Sequence, residues 1–89
     1  MKYHIDPNKI VWRNIDGEVI ILNLDSGHYY GLNSTGSFIW LRLCEEKNIP
    51  KIIDHLSQRY NIIHKNAKED VLTLVKTLER EGLMRPAEG

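Results

Sequence analysis

Apolar and polar positions along the chain change period near residue 33, and that change divides the molecule into a β half and a helical half. Ile10-Val11-Trp12-Arg13-Asn14-Ile15 is β-branched and aromatic and stops at Asp16-Gly17. Asp-Gly suits a two-residue type I′ hairpin turn, whose two central residues both need positive φ. Residues 18–24 read as a second strand, with Ile20, Leu22 and Leu24 on one face and Val19 and Ile21 on the other. Apolar residues on both faces mark a central strand, or one covered from both sides. The turn Asp25-Ser26-Gly27 leads to a short third strand, residues 28–32. Residues 10–32 thus predict a three-stranded antiparallel meander with the second strand in the middle. Residues 1–9 read as a flexible N-terminal arm and 85–89 as a C-terminal tail, leaving 10–84 as the domain.

Helical spacing takes over from there. Asn33 or Ser34 can cap a helix running to about residue 46. Phe38, Ile39, Trp40, Leu41 and Leu43 make that helix apolar almost all round, so it should sit centrally. A second helix starts at Asn48, with Pro50 in its first turn, and repeats Ile49, Ile52, Ile53, Leu56 and Tyr60 on one face. After a polar loop over 61–66, a third helix spans about 67–81. Gly82 ends it in the left-handed conformation, and Leu83 can fold back on the last turn. Three strands followed by three helices make an α+β fold with the helices packed on a small sheet. The last two helices resemble a helix-turn-helix, with a connection longer than the three or four residues of the DNA-binding form.

Composition narrows the function. The 89 residues suit one domain, 42% of them hydrophobic, and twelve basic residues balance twelve acidic ones. A nucleic-acid binder carries a basic excess, so the balance argues against that class. The outward side of the third helix adds Glu69, Asp70, Glu79 and Glu81, which repel phosphate. One cysteine, Cys44, excludes an internal disulfide framework and any multi-cysteine zinc site. His4, His28, His55 and His64 are scattered without metal or triad spacing, and Gly27, Gly31 and Gly36 form no phosphate-cradling loop. No apolar run reaches the roughly 18 residues of a membrane helix. The N-terminus lacks the apolar stretch of a signal peptide, which points to a cytoplasmic protein. These readings predict no enzyme, no cofactor and no metal.

Peptide recognition remains. The third strand is an edge with unpaired N–H and C=O groups, and His28-Tyr29-Tyr30-Gly31-Leu32 lacks the lysine or proline that usually blunts one. On the third helix Ala67, Val71, Leu74, Val75 and Leu78 share the core arc. Leu72 lies off it, beside Lys68, Lys76 and Glu79. A groove between that helix and the edge strand would accept a peptide as an added strand.

The stretch from Gly27 through His28-Tyr29-Tyr30-Gly31-Leu32-Asn33-Ser34-Thr35-Gly36 to Phe38-Ile39-Trp40 resembles the signature of PqqD-like proteins, the precursor-peptide recognition elements of ribosomally made, modified natural products. The similarity continues through Ile52-Ile53-Asp54-His55-Leu56, Tyr60, Asp70-Val71, Leu78 and Glu81-Gly82-Leu83. The resemblance implies a winged-helix-like fold and a non-catalytic role. A leader peptide would lie along the third strand and against the third helix, then pass to modifying enzymes. The strand ending Tyr-Tyr-x-Leu-Asn looks more like the stand-alone protein of lasso-peptide biosynthesis, which implies a leader peptidase as second partner. The site residues expected on this basis are His28, Tyr29, Tyr30, Gly31, Leu32, Lys68, Leu72, Val75, Lys76 and Glu79. The alternative is a DNA-binding winged helix.

Overall fold

The computed structural model describes residues 3–86, in the order β1 (Tyr3–His4), β2 (Ile10–Ile15), β3 (Glu18–Asn23), β4 (Tyr29–Gly31), α1 (Ser34–Cys44), α2 (Ile49–Tyr60), α3 (His64–Arg80) and β5 (Arg85–Pro86). The meander forms as expected, antiparallel in the order β2-β3-β4. Asp16 and Gly17 take φ of 52° and 87°, as the tight hairpin requires. At the second turn the Asn23 side chain accepts from the Asp25 and Ser26 N–H groups, and Gly27 closes the reversal at φ 76°. Those bonds end β3 at Asn23, one residue before the predicted limit.

Register assigns the faces, because cross-strand partners share one. Trp12, Ile21 and Tyr30 stand on the helix side. Val11, Leu22 and Tyr29 stand on the other, as do Arg13, Ile20 and Gly31. The helices cover only the first of these faces. Val19 and Ile21 are fully buried there, in one core with Ile39, Trp40, Leu43, Ile52, Leu56, Val71, Val75 and Leu78. The open face keeps Val11, Ile15, Ile20 and Tyr29 exposed.

Asn33 caps α1, accepting from the Gly36 N–H at 2.8 Å. The helix stops two residues short of the predicted end because Glu46 takes a left-handed φ of 60°. The Glu46 N–H then returns to the Leu43 carbonyl and the Lys47 N–H to that of Arg42, a Schellman closure. Gly82 and Leu83 close α3 in the same way, and Leu83 is buried as predicted.

Two expectations are corrected. α3 begins at His64 rather than at residue 67, because the Asn66 and Ala67 N–H groups already bond the Ile63 carbonyl. The connection from α2 is therefore residues 61–63, turned by Asn61 at φ 52°. Its length falls within the helix-turn-helix range, so loop length no longer argues against that motif. The second correction concerns the arm. Tyr3 pairs with Pro86 and His4 with Arg85, closing a second, two-stranded sheet. Tyr3 is only 8% exposed, and burial, with a contribution from the Glu79 carboxylate, raises its pKa. An aromatic ring that completes the core holds the leader where its polar composition suggested a loose end. Of the predicted tail, residues 87–89 lie outside the described residues.

Candidate functional site

β4 follows a five-residue connection, 24–28, and leads through Leu32 into the Asn33 cap of α1, so both its ends are fixed. Its pairing with β3 sets which backbone groups face outward. The Leu32 N–H donates to the Val19 carbonyl at 2.9 Å, and the His28 carbonyl accepts from Asn23 at 3.0 Å. Residues 28, 30 and 32 therefore turn their backbone groups toward β3. By the two-residue alternation of a strand, Tyr29 and Gly31 turn theirs outward. No strand among the described residues pairs with this edge.

Ser37 anchors the arrangement. The Val19 N–H donates to Ser37 Oγ at 2.8 Å, and the Ser37 hydroxyl donates to the Leu32 carbonyl at 3.2 Å. A buried hydroxyl thus stands in for one ladder bond and ties the end of β4 to α1.

Past the end of β4, between the start of α1 and α3, lies a groove of about 580 Å³. Asn33, Thr35 and Ile39 form one wall, with Asp70, Leu74 and Thr77 among the α3 residues opposite. Buried Ile39 and half-buried Leu74 make its floor apolar; threonines and acids make its rim polar. Further along, the Tyr30 hydroxyl donates to Glu81 Oε2 at 3.0 Å and joins β4 to the end of α3. Partial burial, and then the Glu81 carboxylate, raise the Tyr30 pKa.

The structure divides the expected site residues. Tyr29, Tyr30, Gly31 and Leu32 are on or beside the edge, and the His28 ring meets that of Tyr30 edge-on at 6.5 Å. Val75 belongs to the core at 4% exposure. Leu72, Lys68, Lys76 and Glu79 lie on the other flank of α3. Leu72 is two residues from Leu74, which at 3.6 residues per turn places it roughly 160° around the helix. Glu79 on that same flank acts on Tyr3 of the β1–β5 sheet, whose pKa it helps to raise. The α3 residues facing the groove are Glu69, Asp70, Thr73, Leu74 and Thr77. Of these, sequence reasoning assigned Leu74 to the core and named none as a site residue.

Burial, with a contribution from Glu45, pushes the Cys44 pKa up to about 12, so the thiol stays protonated at neutral pH. Among the described residues no three histidine, cysteine or acidic side chains are grouped to hold a metal ion.

A small α+β domain with an unpaired edge strand beside an apolar-floored groove has the make-up of a peptide-binding module. The sequence matches the family described as Coenzyme PQQ synthesis protein D (PqqD) over residues 18–84, and the chain belongs to that family. Two solved structures share its fold. TbiB1, in complex with the TbiA(beta) leader peptide, is 30% identical over 100% of both chains, with a TM-score of 0.86. A lasso peptide synthetase B1, complexed with the leader peptide, is 26% identical over 97% of this chain and 100% of its own, with a TM-score of 0.87. No curated protein matches the chain.

Proposed function

We propose that this chain is a non-catalytic recognition protein that binds the leader of a ribosomally made precursor peptide, of the lasso type, as a strand added to β4. The observation that carries this reading is the outward-turned backbone of Tyr29 and Gly31 beside the α3 groove. Support comes from the two structural neighbours, both of them leader-peptide complexes. The added strand would gain main-chain hydrogen bonds from β4, and every second leader side chain would enter the groove.

The second partner in this proposal is the leader peptidase of the same pathway. The part of the open sheet face on β2, with Val11 and Ile15 exposed, is an apolar surface that lies away from the β4 edge. It is the surface proposed to receive the peptidase. An Ile15→Lys variant should then bind leader normally and lose peptidase stimulation.

Titration of a labelled leader from the neighbouring precursor gene tests the central reading. A short strand with one or two anchors buries less than about 1,200 Å², which suits micromolar to sub-micromolar binding, about −8 to −10 kcal/mol. Calorimetry without heat at tens of micromolar would refute it, as would cleavage of the leader by the purified protein. The three-residue helix-turn-helix connection keeps DNA binding as the rival reading. Duplex affinity would fall steeply with salt, whereas leader affinity should change only modestly. Tight, salt-sensitive retention of duplex DNA would reverse the ranking.

A further inference from the structure

Gly31 is a strand residue with no internal reason to be glycine. It is absent from the positive-φ glycines, which are Gly17, Gly27 and Gly82, and a Cβ built on it meets nothing within 4 Å. Glycine weakens a strand, and within one it often marks the close approach of another group. β4 is only three residues long, so a weak position there is unexpected. Gly31 pairs with Ile20 on the open face, and a recess of about 380 Å³ lies beside them, bordered by Glu18, Leu32 and Asn33. Its apolar floor is Ile20, 39% exposed.

Resting on the leader-binding reading, we propose that Gly31 is a specificity-determining residue. Its bare backbone opens a second subsite, on the open face of the sheet, for one large apolar side chain of the leader. Strand addition places successive leader side chains on opposite faces. One set enters the α3 groove; the other crosses β4 on the open face. At the leader position paired with Gly31, a long or aromatic side chain can lie across the glycine and reach Ile20, which an intervening side chain would prevent. Aromatic cover of an edge glycine is an established way of compensating its lost packing. Glu18 at the rim disfavours an acidic occupant.

The test compares the parent with Gly31→Leu and Gly31→Ala. Each is titrated, without peptidase, with the neighbouring-gene leader and with that leader changed to alanine one residue at a time. Gly31→Leu should melt no lower than the parent and bind the intact leader at least tenfold more weakly. One open-face leader residue should matter to the parent and cease to matter to Gly31→Leu. Should Gly31→Leu fail to fold, Gly31→Ala carries the test with a smaller, roughly threefold loss at that same residue. Equal binding by parent and variants overturns the subsite and leaves the leader reading intact. So does a loss of the same size for every leader variant, which would mean obstruction of the main chain. A parent that binds no leader overturns the leader reading itself, and the subsite with it.

Discussion

Replacing Tyr29 by proline separates the edge backbone from everything else the residue does. The Tyr29 N–H points to solvent, so proline removes no bond from the β3–β4 ladder. The side chain is 73% exposed and contributes little to packing. Proline is tolerated at the first residue of an edge strand, and β4 begins at position 29. Its fixed φ also reduces the freedom of the unfolded chain, which offsets a modest mismatch in the folded one. Thermal stability should therefore shift by no more than a few degrees. Leader binding should not survive so well. One main-chain bond worth about 0.5–1.5 kcal/mol is lost, and the leader carbonyl left unpaired costs about 1–3 kcal/mol more. Together these amount to about 1.5–4.5 kcal/mol, a weakening of roughly ten- to two-thousandfold. Tyr29→Ala is the control, because it removes the ring and keeps the N–H. Fluorescence anisotropy of a labelled leader reads both variants. Tyr29→Pro binding within twofold of Tyr29→Ala would show that no strand adds at this edge.

The flank assignment predicts that Leu72→Asp leaves leader affinity within about twofold of the parent, while Thr73→Trp, which fills the groove, weakens it at least tenfold; anisotropy of both variants checks this. Ser37→Ala strands the buried Val19 N–H, at a cost of about 1–3 kcal/mol, or a fall of roughly 4–24 °C in the melting temperature measured by circular dichroism. Cys44, Tyr3 and Tyr30 all have pKa values raised by folding, so the folded state retains protons that the unfolded chain releases. Their contribution is complete at neutral pH and is lost as pH climbs from about 9, the ordinary thiol value, toward about 12, where the folded thiol ionises. Melting temperatures should be level from pH 6 to 8 and decline above pH 9, with a shallower decline in Cys44→Ala.

What the sequence could and could not convey follows from the range of the forces involved. Asp16-Gly17, the Asn33 and Asn48 caps and the Gly82 stop act within four residues of themselves, and each appears where its local chemistry places it. The strand order follows too, because tight turns leave consecutive strands no option but to pair. The misjudged features depend on contacts between distant segments. Tyr3 is held down by its pairing with Pro86, more than eighty residues along the chain. The start of α3 was obscured because Ile63 offers no capping side chain; a backbone carbonyl alone begins that helix. The site shows the same limit. A helical wheel places Leu72 off the core arc and Leu74 at its border, but it is blind to which border faces the sheet edge. That choice depends on contacts such as the Tyr30–Glu81 hydrogen bond, which spans 51 residues and joins β4 to the end of α3, and on the α1–α3 packing that puts Leu74 in the groove. Leu72 and Leu74 are alike in chemistry and almost adjacent in sequence. Only the handedness of the packing gives one of them the groove.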